Sequence, residues 1–145
     1  MTRQEAMTLL ARAPTESLRG AWETWSDPPA AEMLRGPESG MIMLRGRIGG
    51  GGAPFNLGET TVSRATVRLD SGEVGFSCVL GRDLEKARLA AVFDGLWQRP
   101  EHRKAVEAAL LAPLARSLEE ADRQTREEAA ATKVNFFTMV RGEDE

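Results

Sequence analysis

The chain has 145 residues, of which 41% are hydrophobic and 28% charged, a balance found in ordinary globular proteins and outside that of disordered chains. Its length suits one domain with one core, and a formal net charge of −3 excludes the global positive field that drives non-specific nucleic-acid binding. No stretch approaches the roughly 20 apolar residues of a membrane span, and the start MTRQEAMTLLARAP has no basic region ahead of a signal-like apolar core, so a cytoplasmic protein without membrane partners is expected.

The first segment, Arg3 to Ala13, sets Met7, Leu10 and Ala11 at helical spacing and ends at Pro14. Thr15 is expected to cap a second short helix with Leu18, Ala21, Trp22 and Trp25 on one face, stopped by Asp27-Pro28-Pro29. Two tryptophans three residues apart on a helix serve as core or interface anchors. From Ala31 the texture changes to short runs broken by glycine: Glu32 to Arg35, a turn over Pro37 to Gly40, then an alternating strand from Met41 to Ile48. The glycine run Gly49 to Gly52 and the following Ala53 to Gly58 are expected to form a loop. Thr60 to Leu69 alternates again, with Ala65, Val67 and Leu69 opposed to Val62, Arg64, Thr66 and Arg68, and a turn at Asp70-Ser71-Gly72 leads to a strand over Glu73 to Leu80.

After Gly81-Arg82, Asp83 is placed to cap a helix reaching about Trp97, with an apolar stripe of Leu89, Val92, Phe93, Leu96 and Trp97. Pro100 suits the first turn of the next helix, and Pro113 is expected to break or kink it. Leu114 to about Lys133 follows as a charged helix with acid–arginine pairs one turn apart, and Val134 to Val140 is an apolar, strand-like tail before an acidic end. The fold class is therefore α+β, an antiparallel meander of about four strands with N-terminal and C-terminal helices packed against it.

Residues that carry chemistry are few. Cys78, the one cysteine, cannot form an internal disulfide or by itself build a metal site, and is expected to be a small buried apolar residue. His102, flanked by Glu101 and Arg103, is expected at the surface, with no serine or cysteine in a nucleophile setting near it. The glycine run could form a nest of backbone N–H groups for an anion, but it lacks the Lys-Ser or Lys-Thr pair of a P-loop, and a strand rather than a helix follows. Of 19 basic residues only Lys86, Lys104 and Lys133 are lysine, and arginine is suited to bidentate capture of carboxylate or phosphate. Arg45 and Arg47 share one strand face, as do Arg64 and Arg68 on the next strand. Brought together by the register they would form a positive patch, suited either to phosphate oxygens or to carboxylates of a neighbouring subunit or of Glu32 and Glu73.

At the sheet the sequence resembles the PhnG family. Arg47-Ile48-Gly49-Gly50, Phe55, Gly58-Glu59 and Ser63 to Leu69 follow that pattern, as do Gly75-Phe76-Ser77, Gly81-Arg82-Asp83, the alanine-rich helix through Asp94, and the closing run from Val134 to Gly142. The resemblance implies one PhnG-like domain over 1–145, a non-catalytic subunit of the carbon-phosphorus lyase core complex with PhnH, PhnI and PhnJ as partners. That complex forms ribose 1-methylphosphonate 5-triphosphate when methylphosphonate displaces adenine from ATP. In it PhnI carries the nucleosidase chemistry and PhnJ the radical cleavage at an iron-sulfur cluster, and this chain is expected to hold no cofactor or metal. Candidate contacts to ATP or phosphonate at a shared site are Arg47, Gly49, Gly50, Arg64 and Arg82; candidate partner contacts are Trp22, Trp25, Phe136, Phe137, Met139 and Arg141. The alternative reading is an autonomous phosphate- or nucleotide-binding or regulatory module.

Overall fold

A computed structural model describes residues 1–132. The tail from Lys133 onward, with Phe136, Phe137, Met139 and Arg141, lies outside the described residues. Two compact units are present, Met1–Ala115 and a second beginning at Arg116, and each is described by itself.

The first unit opens with α1 (Arg3–Arg12), started by a capping box in which the Thr2 side chain accepts from the Glu5 N–H while the Glu5 carboxylate accepts from the Thr2 N–H. Pro14 stands at the N-cap of α2 (Thr15–Glu23), one residue ahead of the expected cap. Thr15 instead donates its hydroxyl hydrogen to Asp83 Oδ2, so the start of α2 is fastened to a residue 68 positions away.

Three strands follow, β1 (Ala31–Arg47), β2 (Pro54–Leu69) and β3 (Val74–Leu80), in one antiparallel sheet of order β1-β2-β3. This is the expected meander with three strands rather than about four, because the Pro37–Gly40 segment does not turn. Gly36 at φ 71° and the following proline, which has no N–H to give to the ladder, are absorbed as irregularities between Met33 and Arg35 and between Arg35 and Glu38, and pairing resumes at Glu38↔Arg64. The expected loop over residues 49–58 also shrinks. Ile48–Gly50 forms a single 3₁₀ turn closed by the Gly51 N–H on the Ile48 carbonyl, which also accepts from the Gly52 N–H at 2.8 Å, and β2 already begins at Pro54.

Behind the sheet lies α3 (Leu84–Gln98), capped as expected by Asp83, which accepts from the Lys86 N–H at 2.8 Å. Every residue from Leu89 to Trp97 is buried, so this helix is enclosed on all sides rather than along one stripe. It packs on all three strands and on α1 and α2, and Phe93 makes near-perpendicular ring contacts with Trp22 and Trp25 at centroid distances of 6.2 and 5.8 Å. The closest approach is at Gly75 of β3. A methyl group there would sit 1.9 Å from the Ala91 carbonyl oxygen and 2.7 Å from the Gly95 nitrogen, so strand and helix meet backbone to backbone.

Pro100 occupies the first turn of α4 (Pro100–Val106), as its fixed φ predicts. Pro113 does not break the chain of helices. A π turn over Glu107–Leu111 precedes α5 (Ala112–Ala131), with the Ala112 N–H on the Glu107 carbonyl. The wider turn moves the carbonyls out of the path of the proline ring, which in a regular α-helix would strike the carbonyl four residues back. In the second unit, Arg123 bridges Glu120 and Glu127 along α5.

Candidate functional site

The register decides where the arginines stand. Arg64 pairs with Glu38 across the strands and its Nη2 reaches Glu38 Oε1 at 3.3 Å; Arg68 stands opposite Glu32, with Nη1 at 3.6 Å from Oε2. Arg45 and Arg47 lie opposite Asn56 and Pro54 at the far end of the same ladder. Ten residues of β2 separate the partner of Arg47 from Arg64, about 33 Å at roughly 3.3 Å per residue. The two pairs of arginines therefore do not form one patch.

Of the five candidate ligand contacts, Arg64 and Arg82 each lie near Gly40, and Arg47, Gly49 and Gly50 stand at the far end of the β1–β2 ladder. Pairing of β3 with β2 begins at Leu80↔Val62, and the Gly81 N–H donates to the Thr61 carbonyl at 2.9 Å. Ser63 donates to the Gly81 carbonyl at 2.8 Å and stands 3.1 Å from the Ser39 hydroxyl. A serine has one hydrogen to give, so Ser39 is the donor in the second contact, and the relay runs β1 to β2 to the turn after β3. This relay sets Arg82 beside a concavity of about 320 Å³ lined also by Ser39, Gly40, Met41 and Thr61. Arg64 lies next to the same Gly40, with Nη2 3.5 Å from where a β-carbon would stand, and its buried Nε has no hydrogen-bond partner. Gly49 and Gly50, at φ 58° and 81°, hold the hairpin turn in a left-handed backbone that other residues avoid.

The tryptophans named as partner contacts are half-buried, both against Phe93. His102 is half-buried too, its ring 6.0 Å from that of Trp25. Cys78 is half-buried on β3 opposite Arg64 rather than fully enclosed. Among the described residues no group of three or more His, Cys, Asp or Glu is arranged to hold a metal ion, and no helix is long and apolar enough to cross a membrane.

Two features were not anticipated. Asp94 is fully buried in α3, where Arg3 grips it through Nε at 3.0 Å and Nη2 at 2.7 Å while the Phe76 N–H donates to it at 2.9 Å. Hydrogen bonding to this carboxylate raises the Arg3 pKa. The only hint in the sequence was an acidic residue inside an apolar stripe. The second feature is the distal half of the β1–β2 hairpin. Beyond Val62 it is two-stranded, and Met41, Met43, Ile48, Phe55 and Leu57 along it are exposed.

This arrangement defines a small α+β protein whose distinctive chemistry, among the described residues, lies on the surface in an apolar ribbon and a set of arginines. The family model described as "Phosphonate metabolism protein PhnG" matches residues 1–142. The chain is 58% identical over 142 residues to the alpha-D-ribose 1-methylphosphonate 5-triphosphate synthase subunit PhnG of Rhizobium meliloti (strain 1021), covering 98% of this chain and 90% of that protein. The chain belongs to the PhnG family, as a subunit of that synthase of phosphonate metabolism. A synthase subunit has other subunits for partners.

Proposed function

We propose that the chain is a non-catalytic, accessory subunit that helps assemble a core complex with PhnH, PhnI and PhnJ, in which ATP and methylphosphonate are converted to α-D-ribose 1-methylphosphonate 5-triphosphate. The observation that carries this reading is similarity at 58% identity along nearly the whole chain to a subunit of that synthase. The geometry supports a structural role, since the mid-sheet cations are taken up by Glu38 and Glu32 and the single imidazole packs on Trp25.

Arg82 favours a second reading, a phosphate- or nucleotide-binding contact, because it borders a concavity and no ion pair engages it among the described residues. Reconstitution tests both. PhnH, PhnI and PhnJ with and without this chain are given ATP and methylphosphonate, and product is followed by phosphorus NMR. Product only when the chain is present, and none from the chain alone, is expected. Equal product without it, or turnover by the chain alone, overturns the accessory role. Titration of the isolated chain with ATP and with inorganic phosphate is expected to give no heat; saturable binding lost in Arg82→Ala establishes the second reading.

A further inference from the structure

The outer half of the hairpin is built against the usual rules for a solvated sheet. Past Gly40↔Val62 only two strands remain, Met41 to Arg47 and Pro54 to Thr61, and both outer edges lack a neighbouring strand among the described residues. A two-stranded ribbon in water is marginal, and a sheet with one wet face alternates apolar and polar residues. Here successive residues of β1 are all large and apolar. Met41 and Met43, 67% and 50% exposed, project to one face, while Ile42 and Leu44, 37% and 39% exposed, project to the other. Phe55 and Leu57 add to them from β2 and Ile48 from the tip.

We infer that this arm inserts into a cleft on another subunit of the synthase, a cleft apolar on both walls and rimmed by carboxylates. The inference rests on the assembly role proposed above. An arm of about seven residue pairs is about 23 Å long and about 10 Å wide, so one face offers only about 230 Å². That is well short of the roughly 800 Å² per partner of a stable interface, and a flat partner would leave the second apolar face in water. Enclosure of both faces, both edges and the tip brings the area into range.

Charge selects the occupant. The arm carries Arg45 and Arg47 against the single acid Glu59, and neither arginine forms an ion pair among the described residues; Arg47 only donates to the Gly52 carbonyl at 3.2 Å. Arm against arm in a second copy would set like charges together. Carboxylates at the rim of a cleft in a different chain satisfy them.

The test uses the full chain carrying Met43→Glu with Leu57→Glu, one exposed site on each strand, and measures its affinity for the remaining synthase subunits purified as a complex. Two carboxylates forced into an apolar cleft are expected to weaken association by at least about thirtyfold, with circular dichroism and Tm of the free chain unchanged. Should this variant misfold, Arg45→Glu with Arg47→Glu reads the charge contact alone, with an expected loss of about tenfold that shrinks as salt is raised. Wild-type affinity in a folded variant of either kind overturns the arm while leaving the subunit reading intact. A wild-type chain that fails to associate overturns the subunit reading and the arm with it. A dimer of the isolated chain in sedimentation, dissolved by Met43→Glu with Leu57→Glu while binding to the other subunits persists, makes a second copy the occupant and overturns the inference.

Discussion

Replacing Gly75 with alanine adds one methyl group where β3 and α3 touch. Its carbon would fall 1.9 Å from the Ala91 carbonyl oxygen, and neither atom belongs to a side chain that could swing aside. Restoring even a tight contact requires strand and helix to part by about 1 Å in a core packed at crystal-like density. The neighbouring Phe76 N–H, bonded to buried Asp94 at 2.9 Å, moves with the strand. Overpacking costs about 1–3 kcal/mol and a strained buried hydrogen bond about 1 kcal/mol more, so a loss of about 3 kcal/mol is expected. For a unit of this size that lowers Tm by roughly 10 °C. Gly20→Ala is the matched control: a methyl there meets nothing within 4 Å, and Gly20 lies within α2. It is expected to raise stability by up to about 1 kcal/mol through helix propensity. Thermal unfolding followed by tryptophan fluorescence reads both. A Gly75→Ala protein melting within about 1 °C of wild type, or shifting in the same direction as Gly20→Ala, refutes the claim of a backbone-to-backbone contact.

Arg3→Ala leaves the fully buried Asp94 carboxylate with only the Phe76 N–H, and a loss of about 3 kcal/mol in urea unfolding is expected; a loss below about 0.5 kcal/mol would show that the ion pair contributes little. The Asp83 carboxyl is held below its usual pKa first by the Thr15 hydroxyl and then by the Lys86 N–H, so the stability it supplies is present above the usual aspartate range and is lost as pH falls through the lowered value. Thr15→Val is therefore expected to flatten the fall of Tm between about pH 5 and pH 2, and an unchanged acid profile would dismiss the link between α2 and the α3 cap. Arg82→Ala is expected to leave stability within about 0.5 kcal/mol of wild type, as it is exposed and outside any ion pair in the described residues, so a lowered product yield from an otherwise intact assembly would report contact with substrate.

Local signals in the sequence were read correctly where local physics decides. Asp83 ahead of an apolar stripe and Pro100 at a first turn each became the element they announce. Ala65, Val67 and Leu69 are buried as their alternation requires. The misread segments are those where the decision is non-local. Pro37 to Gly40 has the composition of a turn, but β2 offers a continuous partner, and the ladder skips over the irregularity. Phe55 to Gly58 looked too glycine-rich for a strand, yet pairing with Leu44 to Gly46 holds it in the sheet. Periodicity assigns residues to faces and says nothing of register, so whether four arginines would gather was undecidable until Glu38 was found opposite Arg64. The grip of Arg3 on Asp94 spans 91 positions, and no pattern of spacing reveals such a pair. The arm was missed for a related reason. Alternation places Met41 and Met43 on one face and Ile42 and Leu44 on the other without saying which face is covered, and here all four are exposed.

The two edges of that arm, bare among the described residues, also set a condition on how the chain is made. Unpaired N–H and C=O groups beside exposed methionine and leucine form a template for further strands, and no lysine or proline interrupts Met41 to Arg47. Encounters between such templates rise with the square of the free-chain concentration, whereas capture by a partner rises only in proportion to it. A cell that synthesised this chain in excess over the subunits that sheathe it would accumulate aggregate rather than a reserve of free subunit, so balanced, co-ordinated expression with those subunits becomes a requirement of the fold itself.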